Sequence, residues 1–155
     1  MLQYRQAVLD DVKALCKFTD WWLSGRGKAE GVPGAVNDCF VSPGQHGKYI
    51  VRYKTWICLD DLEIIAWAVV EPSSTMIHLL VSGDYRSNGI GQRLVKILSP
   101  RIVRSKLDQS CGDPIGFYNK LGYRKVKRVK SRSRLDIDKI CPLRKANIDV
   151  MELVG

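Results

Sequence analysis

A mixed α+β domain built on one mostly antiparallel sheet of about six to seven strands is the fold class the sequence predicts. Three observations predict it. Three consecutive β-branched and aromatic runs follow one another at residues 48–61, 62–72 and 75–81, separated only by turn residues. Apolar residues recur at helical spacing before and after them, at residues 9–23 and 89–98. The chain has 155 residues, which fits a single domain spanning 1–155 with a sizeable core.

The elements follow in chain order. Residues 2–8 make the first strand. The next segment places Val12, Leu15, Cys16, Phe18, Trp22 and Leu23 roughly on one helical face, with Asp10 or Asp11 as its cap. Residues 24–47 hold six glycines and two prolines with little periodicity, so a long loop is expected, with a short helix near residues 35–40. Loops of that length often carry function, and substrate-selecting elements are expected there. The runs at 48–61 and 62–72, joined at Asp60 and Asp61, read as an antiparallel hairpin, and the third strand follows the turn at residues 72–74. A helix then buries Ile90, Leu94, Val95 and Leu98, and Pro100 ends it or begins a new segment. Residues 101–108 make a weak, polar strand. Asp113 and Pro114 open a short helix that Gly122 closes. Residues 124–130 and 147–154 supply the last two strands. Three to four helices therefore flank the sheet.

Composition narrows the classes. No apolar run approaches membrane-spanning length, and the first residues lack a basic stretch followed by an apolar core, so a soluble, cytoplasmic protein without membrane contact is expected. Five cysteines, at positions 16, 39, 58, 111 and 141, are scattered without a C-x-x-C pair, and read as reduced thiols with no metal cage. The formal charge is +9, much of it between Tyr123 and Arg134. Such a run can bind polyanions. Lysine and arginine also blunt exposed sheet edges, and no aromatics interleave the run as stacking platforms, which favours the solvated-edge reading over nucleic acid.

The stretch LLVSGDYRSNGIGQRL, residues 79–94, places a glycine turn in front of the helix at Ile90. It lacks the third glycine of the dinucleotide fingerprint, and the chain has no Gly-Lys-Ser/Thr. Successive backbone N–H groups at a tight turn, joined to a helix start, still form an anion-binding concavity. Glycines let a diphosphate approach the backbone between Ser87 and Gln92, and Arg86 adds charge.

This stretch resembles the acyl-CoA loop of the GCN5-related N-acetyltransferases (GNATs), an arginine or glutamine, two residues, glycine, one residue, then glycine or alanine, matched by Arg86, Gly89 and Gly91. Downstream, FYNKLGY, residues 117–123, resembles the family's FYexLGF signature. The resemblance implies a sheet splayed between its fourth and fifth strands. It implies acetyl-CoA as co-substrate, held by the backbone of Leu79, Leu80 and Val81 and by Arg86, Ser87, Asn88, Gly89, Ile90, Gly91 and Gln92. It implies that Tyr118 protonates the departing thiolate, a reasonable task for a phenol; otherwise Tyr118 is a core aromatic beside Phe117.

The amine must lose a proton, and Glu71 or His78 is the candidate base; a water chain is the other route. The sequence departs from the family pattern in three places. Gly83 stands where proline is usual, Cys111 where an asparagine contacts the cofactor arm, and Lys106 where some relatives carry a glutamate base. The expected activity is N-acetyl transfer to a primary amine by direct attack on the thioester. The acceptor is a small molecule or peptide. The alternative is a module with weak catalysis that binds or modifies nucleic acid, or a nucleic-acid-associated protein, through its basic C-terminal strands. The sequence leaves the oligomeric state open, a homodimer being one alternative since members of the family it resembles are often dimers.

Overall fold

The computed structural model describes residues 1–23, 41–106, 114–130 and 147–154. The expected helix near residues 35–40, Cys39, Cys111, Asp113, Cys141 and the basic residues Arg132 and Arg134 lie outside them.

Seven strands form one sheet in the order β1-β2-β3-β4-β5-β7-β6. They are β1 (Leu2–Gln6), β2 (Lys54–Asp60), β3 (Glu63–Val70), β4 (Thr75–Val81), β5 (Ile102–Lys106), β6 (Tyr123–Lys130) and β7 (Asn147–Leu153). Every pairing is antiparallel except β4 with β5. The described helices are α1 (Val12–Leu23), α2 (Pro43–Arg52), α3 (Ile90–Leu98) and α4 (Ile115–Lys120). The expected mixed α+β class is found, with seven strands and four helices among the described residues.

Alternation along the strands divides the core into two layers. Ile57, Leu59, Trp67, Val69 and Leu80 meet Leu15 and Phe18 of α1 on one face. Ala66, Ala68, Met76, Val103 and Met151 meet Ile90, Leu94, Val95 and Leu98 of α3 and Tyr118 of α4 on the other. Apolar residues on both faces explain why β3 reads as a near-continuous apolar run.

One expectation fails. Residues 43–47 were expected to be loop and residues 48–52 to begin a strand, but together they form α2, and β2 begins only at Lys54. The β-branched and aromatic residues Tyr49, Ile50, Val51 and Tyr53 favour a strand locally. The N-terminus overrides them. Ser42 Oγ accepts from the Gln45 amide at 3.2 Å, the Gln45 side chain accepts from the Ser42 amide at 3.2 Å, and Pro43 fills the first turn. This reciprocal cap satisfies two helix amides that have no intrahelical partner. Of the two aspartates expected to cap α1, Asp11 accepts from the Val8 amide at 2.7 Å and holds Arg5 through two bonds of 2.7 and 2.8 Å. It thus secures the turn of Leu9–Asp11 that leads into the helix.

The described part of the basic run, Tyr123–Lys130, forms β6, last in the sheet order. Buried Asp149 on β7 takes two of its cations, Arg128 at 2.8 Å and Lys125 at 3.5 Å, which hold its carboxyl below the usual carboxylate range.

Candidate active site

The site begins where β4 and β5 part. Among the described residues they pair only at Thr75 with Ile102 and Met76 with Val103. At the same level the β3–β4 register slips: Val69 faces His78 while Val70 faces Met76, so Ile77 is an extra residue in β4. An extra residue bends and twists its strand, which gives β4 a local reason to leave β5.

Beyond that point the ladder dictates where backbone groups aim. The Ser82 amide donates to the Ile65 carbonyl at 2.8 Å. Hydrogen-bonded pairs alternate in an antiparallel ladder, so Trp67 with Leu80 and Val69 with His78 are also bonded pairs. Leu80 therefore spends its backbone groups on β3. Leu79 and Val81 aim theirs at the open side, and the Val81 carbonyl there accepts from Arg86 Nε at 3.3 Å.

The loop after β4 is held from several directions. Tyr85 Oη donates to Asp60 Oδ2 of β2 at 2.6 Å, and this bond pushes the phenol pKa up to about 12. Asn88 Nδ2 donates to the carbonyls of Tyr85 and Arg86 at 3.1 and 3.2 Å. Ser87 and Gly89 both adopt positive φ, 66° and 76°. The αL conformation is easy for Gly89 and costs Ser87 of order 1 kcal/mol. Among the described residues no side chain caps α3, and its first helical bond is Arg93 N–H to the Gly89 carbonyl at 3.0 Å. The amides of Ile90, Gly91 and Gln92 thus have no intrahelical acceptor and meet the positive end of the helix dipole.

The two motifs meet in space. A Cβ added to Gly91 would lie 3.4 Å from Phe117 Cζ and 3.7 Å from Val81, so β4, α3 and α4 converge there. Tyr118 follows Phe117 and is buried, its ring edge-on to Phe117 at 5.1 Å and to Tyr123 at 6.1 Å. Burial, reinforced by Tyr123, pushes its phenol well above the ordinary value, so the hydroxyl keeps its proton at any working pH.

The opposite face holds an imidazole–aromatic cluster. His78 stacks on Trp67 at 4.7 Å with 23° between planes, and Tyr49 of α2 leans over it at 5.6 Å. Trp67 meets the ring of His46 at 5.3 Å. Thr19 has one hydroxyl proton, and Leu15 O at 2.9 Å takes it. Thr19 Oγ1 also lies 3.1 Å from His46 Nε2, which joins the ring to α1. Among the described residues, neither His46 Nδ1 nor Trp67 Nε1 has a hydrogen-bond partner. Burial pushes the His46 pKa down to about 4.

Of the two candidate bases, His78 lies on the open segment of β4. Glu71 lies in the β3–β4 turn, where its carboxylate accepts from Ser73 at 3.3 Å. Four strand steps separate Thr75 from Leu79, about 13 Å, so Glu71 sits at the far end of β4 from the glycine loop. Sequence reasoning missed α2, which places His46 and Tyr49; the S-x-x-Q box at Ser42 with Pro43 was its signal.

Comparison with known proteins finds a family match over the region that holds the glycine loop and the Phe117–Tyr118 pair. The family model described as the acetyltransferase (GNAT) domain matches residues 51–125. Residues 51–125 belong to the GNAT family. Solved structures share the fold at low identity. Ribosomal-protein-S18-alanine N-acetyltransferase from Escherichia coli matches with a TM-score of 0.65 and 14% identity, covering 99% of this chain and 93% of that one. PaiA N-acetyltransferase from Thermoplasma acidophilum, solved with coenzyme A, gives 0.60 and 15%, covering 98% and 99%. The GphF GNAT-like decarboxylase, solved with isobutyryl-CoA, gives 0.67 and 14%, covering 97% and 98%. No curated protein matches by sequence. Among the described residues, no helix is long and apolar enough to cross a membrane.

Proposed function

We propose that the chain is an acetyl-CoA-dependent N-acetyltransferase acting on a primary amine by direct attack on the thioester. The observation that carries this reading is the convergence at Gly91. The open backbone of Leu79 and Val81, the uncapped amides of Ile90, Gly91 and Gln92, and the Phe117–Tyr118 pair all meet around one splay.

The diphosphate of the cofactor sits against the loop amides from Ser87 to Gln92, with Arg86 supplying charge. The pantetheine arm bonds to Leu79 and Val81 in place of β5. An amide of the same segment donates to the thioester oxygen as negative charge develops there. The acceptor nitrogen forms the new C–N bond, His78 takes the ammonium proton from the α1/α2 face, and the C–S bond breaks. Tyr118 donates its proton to the departing sulfur from the α3/α4 face. Opposite faces suit opposite proton transfers, because the splay is the passage between them.

Calorimetry with acetyl-CoA tests the cofactor half of the proposal. Wild type should bind, and Gly89→Glu, which brings a carboxylate and a side chain to a left-handed position, should weaken binding at least about a hundredfold. Gly89→Asn should lose far less, since asparagine tolerates that conformation. Absence of binding by wild type sinks the reading.

A further inference from the structure

Arg104 stands where β4 and β5 separate. Met76 and Val103 are their last paired residues, so Ile77 and Arg104 are the first on either lip of the splay. Val103 projects into the α3/α4 layer, and alternation turns Arg104 to the opposite face. Ile77 on the facing lip packs with the α1/α2 layer, and His78 follows it beneath Tyr49.

Arg104 is half-buried, and among the described residues no carboxylate pairs with it. Its neighbours on the same face are Val150 of β7 and, one strand further, Lys127 of β6. Two strand spacings put these cations about 10 Å apart across a valine. Glu152, two residues along β7, is 3.9 Å from Arg101. A guanidinium withdrawn partly from water gains most from a planar anion that fills its donor fork.

We propose that Arg104 anchors an anionic group of the acceptor, so that the preferred acceptors are amines carrying a carboxylate or a phosphate a few bonds from the nitrogen. This rests on the acyltransferase reading above. An anion held at Arg104 leaves the nitrogen beside Ile77 and His78, over the opening through which the thioester is reached. Lys127 adds positive potential on the same face and steers anionic acceptors toward it.

The test uses matched pairs in a thioester-cleavage assay: glycine against glycinamide for the carboxylate, and phosphoethanolamine against ethanolamine for the phosphate. Rates are compared at equal concentrations of neutral amine. Wild type should favour at least one anionic member by about ten- to a hundredfold in kcat/KM, the range for a hydrogen bond to a charged group. Which pair responds identifies the anion. Arg104→Gln should abolish the preference by slowing the anionic member alone, and Arg104→Lys should keep part of it. Acetyl-CoA affinity, measured by calorimetry, should be unchanged in both variants. Failure of wild type to bind acetyl-CoA overturns the acyltransferase reading and this inference together. Binding with equal use of both members of each pair, or use of none, overturns this inference alone. So does a preference that survives Arg104→Gln. If Arg104→Gln loses cofactor affinity through misfolding, Arg104→Lys decides, and a preference equal to wild type counts against the anchor.

Discussion

On the α3/α4 face, the groups that meet at the splay come from two short stretches, residues 79–92 and 117–118. On the α1/α2 face, Thr19, His46, Tyr49, Trp67, His78 and Arg104 come from α1, α2, β3, β4 and β5. The first face works chiefly through backbone: an uncapped helix start, a strand edge and a left-handed turn. The second works through side chains: two imidazoles, three aromatic or hydroxyl partners and a guanidinium. Backbone sites demand particular residues at fixed local spacing, because only certain residues permit the conformation. Side-chain sites demand only that distant positions arrive together, which leaves no local pattern.

Breaking each face separately should separate its effects. The largest is expected on the α3/α4 face. Tyr118→Phe removes the proposed proton donor and keeps the ring, so kcat should fall by about 10²–10⁴ while acetyl-CoA affinity stays within about threefold. Undiminished turnover would leave Tyr118 as core alone.

The next effect is one of stability, on the other face. His46 titrates at about 4 when folded, against 6.5 for its ordinary value. A histidine whose folded pKa is depressed binds its proton more readily when unfolded. Its stability is fully present above pH 6.5 and is lost as pH falls toward 4, by up to about 3 kcal/mol. Urea midpoints at pH 7 and 4.5 read this loss, and His46→Gln should remove it from the pH dependence. Asp11 and Asp149, held below 3.8 by Arg5 and Arg128, lose their share only at lower pH. An unchanged slope in His46→Gln would mean that the ring is not kept neutral by burial.

A third comparison sets the two candidate bases against each other. His78→Gln should lower kcat/KM by about a hundredfold and shift its acid limb, whereas Glu71→Gln should stay within about twofold. The reverse result would move the base to the turn and detach the Trp67 stack from the chemistry.

The smallest effect concerns the point where the motifs meet. Gly91→Ala places a methyl 3.4 Å from Phe117, ordinary contact, and gives α3 a better helix former. Thermal unfolding should change by no more than about 1 kcal/mol in stability. A larger loss would indicate that Phe117 packs more tightly on this helix.

Much of the architecture was legible in the chain. The strands from Glu63 onward, the inward face of α3 and the left-handed Gly122 follow from alternation, helical periodicity and a glycine at a helix end. The helix at Pro43–Arg52 was not, because Tyr49 to Tyr53 look like strand residues while the decisive signal lies upstream in the Ser42–Gln45 cap. The bulge at Ile77 has no local mark either, since an isoleucine in an apolar strand looks the same in register or out of it.

The sequence by itself determined the α+β class, the glycine loop and the neighbouring Phe117–Tyr118 pair, because φ preferences, capping and hydrophobic period act over a few residues. Tertiary structure alone decided that Gly91 touches Phe117, that Leu79 and Val81 rather than Leu80 aim at the splay, that His78 and not Glu71 lies on it, and that Arg104 stands at its origin. These depend on strand register and on which edges remain unpaired. Register is a property of two segments at once, so no single stretch of chain contains it.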